Sequence, residues 1–166
     1  MGGAFSWKQN NARRVWLAPA AFEKVTNAPA LTNYQGLPVW SFPDGSYTDV
    51  RAQFVAPPGW STATFEAWFV NPTAAAGDVK MTYYYWDGGP PYAAGDDMST
   101  GAIRTVNNML TVLAQGIVQA DSAALQTLAV SDEGVLPLSV GRSGGDASDT
   151  MAGAFYLLGV WAVRAS

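Results

Sequence analysis

"GRSGGDASDTMAGAFYLLGVWAVRAS", residues 141–166, decides how this chain is read. A polar, glycine-rich loop runs into Met151 to Val163, a block of thirteen residues without a charge. A membrane-spanning helix needs about 20 apolar residues, and Gly153 and Gly159 interrupt this block. Its β-branched and aromatic content, closed by Arg164, predicts a strand buried on both faces, near the middle of a sheet or against another subunit. Asp146 and Asp149 stand just before it, where carboxylates accept hydrogen bonds from nearby backbone N–H groups and fix a loop; Thr150 can act in the same way. Asp146, Ser148 and Asp149 are also spaced like fragments of a calcium loop, but the further ligands and the closing Glu of an EF-hand are missing.

Working outward, other segments alternate with the period of a strand. "TDVRAQFV" sets Val50, Ala52 and Phe54 against Asp49, Arg51 and Gln53. "ATFEAWFV" sets Phe65, Ala67 and Phe69 against Thr64, Glu66, Trp68 and Val70. "VKMTYYYW" sets Val79, Met81, Tyr83 and Tyr85 against Lys80, Thr82, Tyr84 and Trp86, and the outward set is either of the two. Between these runs lie "PDGS", "PPGW", "NPTAAAGD" and "DGGPP", which favour turns through the fixed φ of Pro and the positive φ open to Gly. Pro137 in "VLPLSV" points to an edge strand or a bulge. In "GAIRTVNNMLTVLAQGIVQA", Ile103, Val106, Leu110 and Leu113 fall near helical spacing, but Val106, Thr111 and Val112 are β-branched, and the stretch is expected to be mostly strand.

This rhythm predicts an all-β chain, a β-sandwich or barrel. Residues 1–14 are expected to form an extended N-terminal arm, and 15–166 a single sandwich domain. The start has no apolar stretch or cleavage pattern of a secretory signal.

Nearly half of the 166 residues are hydrophobic and only 13% are charged, against about 25% in a typical soluble domain. Scarce charge with many Trp and Tyr suggests surface covered by a partner. The net charge of −4 opposes a general role in nucleic-acid binding. The charge is uneven, because Lys8, Arg13 and Arg14 precede the first acidic residue, Glu23.

Chemistry is mostly excluded. Without histidine or cysteine there is no Ser-His-Asp or Cys-His triad, no disulfide and no common transition-metal ligand. Asp96-Asp97 and Asp132-Glu133 are adjacent carboxylates beside glycine, the pattern of turns rather than of an acid–base dyad. "GRSGGDAS" lacks the Lys-Ser/Thr ending of a phosphate loop. No enzyme, metal or cofactor is expected. Trp60, Trp86 and Tyr92 are the candidates for partner or glycan contact, since aromatic rings offer large contact area with few rotors to freeze.

Gly141-Arg142, Asp146, Asp149-Thr150, Gly153 and Leu157-Leu158-Gly159-Val160, with "AQFVAPPGWSTATFEAWFV" upstream, resemble a β-sandwich module of tailed-phage particles over roughly residues 16–164. The chain departs from that pattern at Glu133-Gly134 and Pro137. The resemblance implies a structural virion protein with an all-β, jelly-roll-like antiparallel β-sandwich of about eight strands. The first reading is a trimeric head decoration (cement) protein, bound to the major capsid protein or another virion protein at the particle surface. Trp7, Lys8, Arg13 and Arg14 would then form its capsid-facing arm. The alternative is a receptor- or glycan-binding module of a tail fibre or spike, with Trp60, Trp86 and Tyr92 as stacking residues. Neither reading involves nucleic acid or a membrane.

Overall fold

The computed structural model describes residues 13–27, 29–87, 102–121, 128–130 and 135–165. Among these there are twelve strands, more than the eight expected because several are short: β1 (Arg14–Leu17), β2 (Glu23–Thr26), β3 (Ala30–Tyr34), β4 (Leu37–Phe42), β5 (Tyr47–Val55), β6 (Thr62–Val70), β7 (Asp78–Asp87), β8 (Ala102–Thr111), β9 (Val118–Asp121), β10 (Leu128–Ala129), β11 (Val135–Ser143) and β12 (Phe155–Arg164). All pairings are antiparallel, and two sheets face each other as a jelly-roll-like sandwich. Among the described residues no helix is long and apolar enough to cross a membrane.

One sheet has five strands in the order β2-β5-β11-β7-β8. The other has seven, and β12 lies at its centre. Along one edge β12 pairs with β6 from Tyr156 to Arg164. Its other edge is shared: Phe155 to Leu157 pair with β4, and Val160 to Val163 pair with β1. A bulge between Leu157 and Gly159 marks the change of partner. The uncharged block before Arg164 therefore supplies a central strand, although its outward side chains are half-buried rather than fully covered.

The alternation read from sequence places the core. Val50, Ala52 and Phe54 of β5, and Val79, Met81, Tyr83 and Tyr85 of β7, face Phe65, Ala67 and Phe69 of β6 and Phe155, Leu157, Val160 and Ala162 of β12. Phe54 meets Phe65 edge-on across the two layers at 5.4 Å, and within the seven-stranded sheet Phe69 stacks on Phe155 at 5.1 Å. Each such side chain contributes roughly 1.5–3 kcal/mol on burial. The choice left open in the tyrosine run resolves with Tyr83 and Tyr85 inward.

Three sequence expectations need correction. Pro137 does not lie on an edge strand, because β11 pairs with both β5 and β7. The ladder with β7 covers Leu138 to Arg142 and leaves Pro137 paired with β5 alone, so its missing N–H costs no bond to β7. Arg14 is not part of an arm but the first residue of β1, paired with Val163. Trp60 is 2% exposed: the turn at Pro57–Trp60, closed by the Trp60 N–H to the Pro57 carbonyl, folds its ring inward against Phe54.

The loop before β12 is tied down by side chains. Arg142 is wholly buried and donates all five N–H groups: two to Asp149, and one each to the carbonyls of Phe42, Met151 and Gly153. Asp149 also accepts from the Lys80 backbone N–H. Thr150 Oγ1 accepts from the Asp78 N–H. Asp146 takes the Lys80 ammonium at 2.5 Å and the Ser148 N–H and hydroxyl.

Candidate functional site

Along β6 and β12 the inward side chains are apolar, as a core requires, but the outward row is aromatic as well. Trp68 on β6, Trp161 on β12 and Trp16 on β1 all project from the outer face of the seven-stranded sheet. Cross-strand pairing brings them together. Trp16 pairs with Trp161, and Trp68 pairs with Gly159. Because Gly159 has no side chain, Trp16 leans across it and meets Trp68 edge-on at 6.2 Å, while its tilted contact with Trp161 is 5.0 Å.

These rings border a trough of about 580 Å³, completed by Ala18, Pro19, Leu37, Pro38, Val118 and Leu158. Its lining is almost wholly apolar, yet it faces outward from the sandwich. Farther along the same face Tyr156 meets Tyr34 edge-on at 5.5 Å. At the Trp161 end two charged groups fix the rings. Glu66 pairs across the ladder with Trp161, and its Oε1 accepts from the Trp68 indole N–H and from Arg14 Nη2 at 3.5 Å. The Arg14 guanidinium lies over the Trp161 ring, 4.8 Å from its centroid, a cation–π contact.

The residues singled out from sequence lie elsewhere. Trp60 belongs to the core, which removes it as a stacking residue. The backbone of Trp86 pairs with Ile103 in the five-stranded sheet, and its side chain lies outside the described residues, as do Trp7, Lys8, Tyr92 and both carboxylate pairs. Arg13 is exposed just ahead of β1. Asp146, Asp149 and Thr150 make the loop contacts given above and are remote in role from the trough. Trp16, Trp68 and Trp161 were missed. The available signal was Trp68, a large ring on the otherwise polar face of an alternating strand, beside Thr64 and Glu66. Among the described residues no group of three or more acidic side chains is placed to hold a metal ion.

No protein-family model matches the chain, and neither does any curated protein. Solved structures do. The fold is similar to the GH26-CBM35 β-(1,4)-mannanase of Podospora anserina, with a TM-score of 0.55 and 11% identity over 92% of this chain and 28% of that one. It is similar to the CBM35 of Cellvibrio japonicus Abf62, with a TM-score of 0.51 and 11% identity over 92% and 94%. The same holds for the CBM22-1 xylan-binding domain of Paenibacillus barcinonensis Xyn10C, with a TM-score of 0.51 and 11% identity over 92% and 95%. The chain spans little more than a quarter of the mannanase but nearly all of the two isolated modules. At this identity the likeness is one of fold, the sandwich of carbohydrate-binding modules. It provides no link to a phage particle.

Proposed function

We propose that this protein is a glycan-binding module whose ligand lies along the tryptophan trough on the outer face of the seven-stranded sheet. The observation that carries this reading is the convergence of Trp16, Trp68 and Trp161 on one apolar, outward-facing trough. The apolar face of a pyranose ring stacks on an indole, and such contacts bury large area at low entropic cost. From Trp161 to Tyr156 the outward face of β12 runs roughly 16 Å at about 3.3 Å per residue, a length that suits an oligosaccharide better than a single sugar. The fold neighbours support the same reading, which is the one placed second from sequence. Capsid decoration, a homotrimer and a capsid-protein contact find no support among them.

Binding to a panel of soluble plant and bacterial polysaccharides, by affinity electrophoresis and then calorimetry, tests the proposal. At least one polymer should retard the protein, and Trp161→Ala should remove the retardation while leaving the fold intact. A protein that passes every polymer unretarded ends this reading.

A further inference from the structure

The geometry points to Glu66 and Arg14 as the pair that sets which glycan the trough accepts: an uncharged sugar presenting two neighbouring hydroxyls, with uronate sugars rejected. This inference rests on the glycan-binding reading above. An apolar trough by itself discriminates poorly, because every pyranose has a stackable face. Sites select between hydroxylated ligands through fixed polar groups left unpaired by the wrong ligand.

Among the described residues, the charged side chains bonded to or stacked on the three tryptophans are Glu66 and Arg14. Both are held in place by the trough's own walls. Glu66 Oε1 is occupied by the Trp68 indole and by Arg14, while Oε2 carries no hydrogen bond from the described residues. Arg14 has five N–H donors, of which one is engaged, and its side chain is 48% exposed. An open carboxylate oxygen beside a partly open guanidinium fork complements two adjacent hydroxyls, one donating to Glu66 and the other accepting from Arg14.

The same pairing disfavours an acidic sugar. A uronate carboxylate would meet the Glu66 charge at the same rim. It could reach the free donors of Arg14, but the single positive charge there already faces Glu66, so a second carboxylate would have to share it with the group that also anchors Trp68. The chain's net charge of −4 adds repulsion at longer range.

The test compares matched oligosaccharides differing only by oxidation at C6, namely β-1,4-linked manno-oligosaccharides against oligomannuronates and cello-oligosaccharides against their glucuronate counterparts. Wild type, Glu66→Gln and Trp161→Ala are titrated at low and at high salt. Gln retains an acceptor for the Trp68 indole but loses the charge. Wild type should favour the neutral member by about tenfold or more, and Glu66→Gln should bring the ratio toward parity, as should high salt in wild type. Wild type binding uronates as well as neutral sugars overturns the inference and leaves the trough reading standing, as does an unchanged ratio in Glu66→Gln. Full binding by Trp161→Ala overturns both, whereas no binding to either member of either pair overturns the inference and leaves the trough reading to the polysaccharide panel.

Discussion

The ring of Trp16 occupies the space where Gly159 would carry a side chain. A Cβ built at Gly159 falls against Trp16 Cζ2 and 2.7 Å from both Trp16 Cη2 and the Leu17 carbonyl oxygen. The glycine, with φ at +145°, sits at the bulge where β12 passes from β4 to β1. One residue thus permits both the change of strand partner and the laying of a tryptophan across the sheet.

Gly159→Ala should therefore cost about 1–3 kcal/mol, the range for forcing extra volume into a packed site, with backbone strain added at this φ. Glycan affinity should fall as well, because Trp16 must move. Urea unfolding followed by tryptophan emission reads both the stability and the displaced ring. An unchanged midpoint with unchanged emission would mean that Trp16 is not held over Gly159.

Trp60 and Trp161 should separate packing from binding. Trp60→Ala opens a hole in the core and should lose about 3–5 kcal/mol of stability. Whatever protein remains folded should still bind. Trp161→Ala should lose about 2 kcal/mol or more of glycan binding, the scale of an interface hot spot, with a smaller loss of stability. Melting curves and calorimetric titrations of the two variants provide the comparison.

Acid should act through Asp146. Hydrogen bonds from Lys80 and then from Ser148 hold its carboxyl well below its ordinary value of 3.8. A depressed folded-state value means that its contribution is complete above the ordinary carboxylate range and is lost as pH falls through and below it. Asp146→Asn should flatten the acid limb of the stability profile from about pH 4 downward, while its midpoint near neutrality drops. Parallel acid limbs for the two proteins would count against the pairing.

Alkali should act through the buried tyrosines. Among the described residues the Tyr85 hydroxyl is buried without a hydrogen-bond partner, and burial, then the charge of Asp121, raise it far above its ordinary value of 10.0. The folded state keeps this proton while the unfolded chain loses it, so stability falls as pH climbs past the ordinary tyrosine range. Tyr85→Phe removes an unsatisfied polar group. It should be neutral or more stable by about 1 kcal/mol near neutrality, with a shallower alkaline decline. Denaturant midpoints at neutral and alkaline pH measure both effects.

The fold was legible where one face of a strand is buried and the other is not. Val50, Ala52 and Phe54, or Phe65, Ala67 and Phe69, declare their face through alternation alone. Asp49 shows the limit of that signal: it alternates outward as expected, yet it is 3% exposed and its Oδ2 accepts from the Ser139 hydroxyl. The candidate site was not legible, because Trp16 and Trp161 meet through pairing of β1 with β12, a register between the two ends of the described chain that no local pattern specifies. Trp60 misled for a local reason. Its "PPGW" context reads correctly as a turn, but a turn does not say which way its last side chain points.

The buried guanidinium of Arg142 has a further consequence, which concerns rates. Its acceptors lie on β4, one hundred residues earlier, and in the loop that closes onto β12. Asp149, Met151 and Gly153 are only seven to eleven residues away, but the Phe42 carbonyl comes within reach only once the two sheets have docked, late in a fold dominated by distant contacts. Interactions absent from the folding transition state lower the unfolding rate and leave the folding rate almost unchanged. The single bond from Arg142 to the Phe42 carbonyl should therefore act as a kinetic latch, slowing the separation of a sandwich that has already assembled.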